Sequence, residues 1–486
     1  MRIDNIGPRV IIELPSRRME PTQTAGMQNG EYVANRFAVA RSKLHSTNNL
    51  PLSQGVSKHL NGVTLLIHTP QSNETVLIIR ALDTLQRWKV EGEWFRHLPA
   101  HVGHTSALDL SIQALVAACA YARDAPKITS GDCYKALAPA LRAVQTNINR
   151  SHAGLSDDIL ASAALLAPFE GVLRRHGVPT CLHVEGLAAI LASRPATYPI
   201  TQLARDIFDF YACDSAVMAC IQGAPSPFER VSQGYYANNR IGCSDSDRAQ
   251  LKALGSELFV RIPRLVGLVR ALRFQPPPQS QLLRDARSLS KSLLSLQDPP
   301  AERRLLSNIK HYPLSDANVT LPLNRGLHFA SVEEFEALAY YWQNRLTLLR
   351  LEQRLQDMVV AANLQADGDT DEPRVSFRPS FGPTANEMYR LVKNILLCVK
   401  YAKTLSLRKH DRLFSYAMVI VWGVLMAQKG QETDPLSDLL LRNVNGALSA
   451  KPPLTAEDMD MAADIFVGGQ PEGRFAKLYG VDPPPM

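Results

Sequence analysis

The sequence predicts an all-α protein: a multi-helix array of antiparallel helices forming a single large domain with surface linkers. Three observations predict it. From about residue 75 apolar residues recur at helical spacing, no stretch alternates convincingly over several strands, and proline-rich punctuation separates the periodic segments. Hydrophobic residues make up 45% of the 486 positions and charged residues 20%, an ordinary globular balance far from disordered or coiled-coil compositions.

Residues 1–74 are read as a mostly irregular arm, rich in Asn, Ser, Gly and Pro, with one short strand expected at Val10–Leu14. Residues 75–486 form the helical body. The first clear helix runs from Ser106 to Arg123, where Leu108, Ile112, Leu115, Val116 and Cys119 mark one buried face, with Ser106 as its expected cap. A second covers Asp132–Ile148, with Pro139 expected to kink or divide it. The third begins at Ser156, which caps it. Asp157 and Asp158 favour its positive end, and Gly177 and Pro179 close it.

Further helices are expected at 183–193, 200–222, 246–273, 280–296, 331–362, 385–405, 411–428, 434–448 and 455–466. Breaks fall at Gln275–Pro278, at Asp298-Pro299-Pro300 and at the acidic stretch 365–383, so linkers are placed near 274–280 and 365–383.

Charge is unevenly placed. The net is +7, yet residues 1–60 hold eight Lys+Arg against four Asp+Glu, and residues 431–486 hold four against nine. A basic start and an acidic end suit macromolecular partners better than a small charged substrate. The seven cysteines are dispersed with no C-x-x-C, which fits a reducing compartment. The charged first twenty residues predict no secretory signal. The longest apolar run, Leu413–Ala427, is short of the ~20 residues a membrane span needs, so it reads as a core helix.

Signatures of nucleophilic or nucleotide chemistry (G-x-S-x-G, P-loop, G-x-G-x-x-G) are missing from the sequence, and no catalytic, cofactor-binding or metal residue is assigned. His97-x3-His101-x2-His104 has a spacing that would put three imidazoles on one helical face. Pro99 and Gly103 break such a helix, so the histidines are read as polar loop residues. Asp157-Asp158 suggests a magnesium-binding acidic motif, but one turn later stands Ala161, and helix-capping acids explain the pair.

Thr455–Phe466 alternates acids with bulky apolar residues. The favoured reading is a helix capped by Thr455 and packed on the core through Met461, Ile465 and Phe466; as the alternative, Glu457, Asp458, Met461, Ile465 and Phe466 would form an amphipathic activation segment. Arg408-Lys409-His410-Asp411-Arg412 is the densest basic cluster, read as the solvated entry to a buried helix, with phosphate or nucleic-acid contact as the alternative.

Between Trp94 and Phe228 an ordered series of motifs resembles the regulatory middle region of fungal-specific transcription factors. Trp94-x3-Leu98-Pro99 comes first, then Ala107-Leu108-Asp109 with the small face Ala114, Ala117 and Ala118. Tyr134-x-Ala136-Leu137 with Leu141 follows, then the helix from Asp157 that ends in Phe169-Glu170. Last comes His183-x2-Gly186 through Leu191 to Arg194-Pro195, which departs from the family pattern at Leu187 and lacks a glycine between Arg194 and Pro195.

As packing residues, Gly186 is expected to admit a neighbouring helix closely and His183 to be a hydrogen-bonded interior histidine. The family usually opens with six cysteines holding two zinc ions, but the first cysteine here is Cys119. The resemblance therefore implies a nuclear, pathway- or gene-cluster-specific transcription regulator without its own zinc cluster. Other transcription regulators or coactivators would be its partners, as a homo- or heterodimer, with direct DNA contact left open. The alternative is an α-helical enzyme or accessory protein of a biosynthetic pathway on the same scaffold.

Overall fold

The computed structural model describes residues 93–123, 128–150, 156–173, 181–194, 200–231, 246–275, 280–313, 325–366, 383–405, 408–428, 435–448 and 452–481, with shorter pieces at 59–60, 63–64 and between 76 and 85. The chain divides into two units, Met1–Ser72 and Asn73–Met486. In the first, β1 (His59–Leu60) pairs antiparallel with β2 (Val63–Thr64). The strand expected at Val10–Leu14 lies outside the described residues.

The second unit is all-α. A 3₁₀ segment, Glu93–Ala100, precedes α1 (Ser106–Ala122), α2 (Ser130–Arg150), α3 (Asp157–Leu173), α4 (Cys181–Ala192) and α5 (Gln202–Gln222). Then come α6 (Asp247–Phe274), α7 (Ser280–Leu294), α8 (Pro299–Ser307) and α9 (Val332–Ala366). α10 (Pro383–Leu397), α11 (Val399–Thr404), α12 (Arg408–Gln428), α13 (Pro435–Leu448), α14 (Ala456–Ile465) and α15 (Gly473–Leu478) complete it. A small antiparallel pair, β3 (Lys310–Pro313) with β4 (Arg325–His328), sits between α8 and α9 in sequence.

Local chemistry sets the helix starts. Thr201, Ser246 and Asp298 each accept a first-turn amide, at 3.2, 3.3 and 2.9 Å. Four expectations need correction. The cap of α1 is Thr105, whose hydroxyl accepts from the Leu108 amide, rather than Ser106. Pro139 lies within one continuous α2; Lys135, whose carbonyl loses its intrahelical partner, is exposed, so water can replace it. Asp298-Pro299-Pro300 begins a helix instead of only breaking one, because proline in the first turn lacks just the amide that a helix start leaves unpaired. The helix expected at 385–405 is interrupted at Cys398, giving α10 and α11.

Two apolar cores fill this unit. One joins the 3₁₀ segment and α1 to α5, with Trp94, Leu108, Ile112, Leu165, Phe169 and Phe208 fully or almost fully buried. The other joins α5 and α6 to α15, with Leu258, Trp342, Leu346, Tyr416 and Phe466 at its centre.

α5 serves both cores. Leu203 to Ala212 face the first, and Cys213 to Ile221 face the second. Its end is fixed by Gly223, left-handed at φ 72°. A Cβ on Gly267 of α6 would stand 2.4 Å from the Gly223 carbonyl oxygen, so only glycine permits this crossing.

The buried carboxylates Glu302 and Glu336 of the second core have cationic partners. Glu302 accepts from Trp342 Nε1 at 2.7 Å and from Arg390 Nη1 at 2.6 Å, tying α8, α9 and α10 together. Lys252 lies 3.3 Å from Glu336 and 3.6 Å from Asp209. Among the described residues no helix is long and apolar enough to cross a membrane.

Candidate functional site

A cluster of ionisable side chains lies where the 3₁₀ segment turns into α1. Leu98 to Thr105 make a tight connection: the His101 amide donates to the Leu98 carbonyl at 2.9 Å, and the His104 amide to the His101 carbonyl at 3.2 Å. Gly103 takes φ 84°, and its amide donates to Asp109 Oδ1 at 3.0 Å. A left-handed residue held by a side-chain acceptor fixes the path of the turn. His101 and His104 are thereby brought together, with ring centroids 5.9 Å apart and edge-on.

Each histidine of the spaced trio goes its own way. His97 meets Asp206, one turn into α5, Nε2 to Oδ2 at 2.9 Å, and Arg96 reaches the same oxygen at 3.3 Å. His101 meets Asp158 in the first turn of α3, Nδ1 to Oδ1 at 2.7 Å. One donor atom each from His101, His104 and Asp158 lie within 4.8 Å of one another. The sequence reading of loop histidines is thus corrected in part. The helix is indeed broken at Pro99 and Gly103, but the turn that replaces it assembles two of the rings beside a carboxylate.

Hydrogen bonding to Asp158 raises the His101 imidazole above the usual histidine value; burial opposes this, and the Asp158 and Asp157 charges add to it. Asp157 and Asp158 do sit at the positive end of α3, as expected, and Ser156 accepts the Ile159 amide at 3.4 Å. Beyond capping, each has a long-range partner. Asp157 accepts from Arg194 Nη2 at 2.9 Å, with side chains only 12% and 6% exposed.

The motif residues fall mostly in the first core. Trp94 is fully buried against Phe95 and Tyr211, and Leu137 is buried. Tyr134 is exposed at 58%, with its ring edge-on to Phe169. Among the described residues nothing lies within 4 Å of a Cβ placed on Gly186, so the close helix approach expected there is corrected. Glu170 and His183 fall in α3 and α4, but their side chains lie outside the described residues, as does Pro195 altogether.

The acidic tail departs from the displayed form expected of an activation segment. Thr455 and Asp458 make a reciprocal capping box at the start of α14, and Asp458 also receives Arg474 at 3.3 Å. Asp460 accepts from Trp422 Nε1 at 2.7 Å. Asp464 holds both Arg273 and Arg354, at 3.0 and 2.9 Å. Ile465 and Phe466 are fully buried, Met461 is half-buried, and Glu457 is exposed. The segment is a capped core helix, since its apolar residues and most of its acids are engaged by the rest of the fold. The basic cluster at 408–412 starts α12, with its side chains outside the described residues.

Comparison of the chain with protein-family models, with curated protein sequences and with solved structures gives no match.

Proposed function

We propose that this chain is a non-enzymatic regulator of transcription, nuclear and specific to a pathway or gene cluster. Its helical body would act as a scaffold for other transcription regulators or coactivators. One observation carries the reading: the residues behind the resemblance to fungal-specific transcription factors are used for packing. Trp94, Leu108, Leu137, Phe169, Leu187 and Leu191 belong to one apolar core, and the Asp157–Arg194 pair joins the start of α3 to the end of α4. Residues spent on packing support a scaffold better than a reaction centre.

In this reading promoter contact comes through a partner protein, since residues 1–118 of the sequence hold no cysteine that could ligate a zinc cluster. The net charge of +7 supports only weak phosphate attraction. The test fuses the chain to a heterologous DNA-binding domain and measures a reporter, alongside binding of the purified chain to promoter DNA. A change of several-fold in the reporter is expected, with DNA binding that is weak, steeply salt-dependent and indifferent to sequence. An unchanged reporter would sink the proposal. So would nanomolar, sequence-specific binding by this chain alone at physiological salt, which would make it a DNA reader in its own right.

A further inference from the structure

We propose that His101, His104 and Asp158 form a binding site for one zinc-class divalent metal ion. The site lies where the turn before α1 meets the first turn of α3.

The donor set argues for the class of metal. Two imidazole nitrogens and one carboxylate oxygen suit zinc and its neighbours, whereas calcium and magnesium take oxygen cages with more ligands. The spacing is close to what coordination needs. Donors about 2.05 Å from a tetrahedral ion stand about 3.3 Å from one another. The three donor atoms lie within 4.8 Å, and the His101–Asp158 pair at 2.7 Å is already tighter than that ideal. Closing the remaining gap takes a side-chain rotation of His104, which is exposed and so free to make it at small cost.

The surroundings fix the other two ligands. His101 is part-buried in a turn held by two backbone hydrogen bonds and by the Gly103–Asp109 contact. Asp158 is 13% exposed at a helix start. The neighbouring acid, Asp157, is committed to Arg194, which leaves Asp158 as the carboxylate that faces the histidines. Three protein ligands leave the fourth position of a tetrahedral ion for water or for an acceptor on another molecule.

His97 provides an internal control. Its spacing from His101 is that of a helical metal pair, yet its ring is committed to Asp206. The site would therefore use the pair separated by two residues and not the pair separated by three.

The experiment uses the purified full chain, with zinc binding followed by calorimetry and cobalt substitution by visible absorption. The variants are His104→Ala, Asp158→Asn and His97→Ala. Because His104 is exposed, its variant should fold, which circular dichroism checks. One equivalent of metal is expected to bind the wild type, and His97→Ala should match it. His104→Ala and Asp158→Asn should each weaken binding by about tenfold or more. Cobalt should give a tetrahedral visible spectrum that His104→Ala abolishes. No binding by the wild type at zinc up to about 100 μM overturns the proposal, as this is far above the range in which built three-ligand sites hold metal. Equal binding by the wild type and by folded His104→Ala also overturns it, since the metal would then be held elsewhere.

Discussion

Replacing Phe466 by alanine distinguishes a packed tail from a displayed one. The ring is fully buried, with its centroid 4.7 Å from that of Tyr416 and 5.9 Å from that of Phe475, edge-on in both cases. Truncating a core phenylalanine costs about 3–5 kcal/mol, because lost transfer energy and the residual cavity add. Two aromatic partners keep the value out of the lower end, each such pair being worth about 0.5–1.5 kcal/mol beyond area. A loss of about 4 kcal/mol, at a urea dependence of about 3 kcal/mol per molar, lowers the unfolding midpoint by about 1.3 M.

Glu457→Ala, on the exposed side of the same helix, should stay within about 0.5 kcal/mol, or about 0.2 M. Urea unfolding followed by circular dichroism and tryptophan fluorescence reads both variants. Equal, small shifts would refute the burial argument and return Phe466 to a surface that a coactivator takes up.

Two further outcomes follow from the charged pairs. Arg194→Ala leaves Asp157 with a poorly compensated charge in a nearly buried setting, and should cost about 3 kcal/mol in urea unfolding. A double-mutant cycle with Asp157→Asn should recover part of it, and a coupling below about 0.5 kcal/mol would show that the pair does not join α3 to α4 energetically. Glu387 is held below the ordinary carboxylate value, chiefly by its hydrogen bonds from Arg390 at 2.8 Å. A depressed folded value means stability present above about pH 4.5 and lost as pH falls through the folded value. Glu387→Gln should flatten that acid loss in urea midpoints compared at about pH 5 and about pH 3, by a small amount because the pair is partly exposed. Identical acid loss in both proteins would place the sensitivity elsewhere.

The helical body was legible because periodicity reports burial directly: Leu108, Ile112, Leu115 and Cys119 of α1 are all in the first core, as their spacing requires. Asp157 and Asp158 were legible as helix-start acids for the same local reason. Their partners were not. His101 and Asp158 are 57 residues apart, and their meeting depends on how α3 packs beside the turn. Helical spacing bears only on whether one helix would align the histidines. Gly103 made the answer negative for a helix, while the same residue, at positive φ, made the turn that brings two of the rings together.

At the tail two readings stood open, and the structure takes the capped core helix. Acids beside bulky apolar residues look alike whether the acids face water or arginines, and only the packing of α6 and α9 supplies Arg273 and Arg354 to Asp464. The β3–β4 pair was missed because four-residue strands are too short for alternation to stand out.

A ligand at the histidine turn would act mainly on the first core, and the reason lies in α5. The turn is anchored to α3 through Asp158, and the 3₁₀ segment before it is anchored to α5 through His97 and Asp206. α5 spans 21 residues, about 30 Å, and ends at Gly223, where Arg270 donates to the carbonyls of Cys220 and Ile221 and also to Ile465 of α14. That path connects the turn to the tail, but a connected path carries a signal only if some element along it has two arrangements of similar energy. α5 is packed into both cores and is pinned at its end by the glycine crossing with α6. Sliding or rotating it would open two well-packed interiors at once, at many kcal/mol. Binding at the turn would instead strengthen the joint between the 3₁₀ segment, α1 and α3, stabilising that half by mass action. A surface formed by α1 to α4 is therefore where an effect on partner binding should be sought, ahead of the clamped acidic tail.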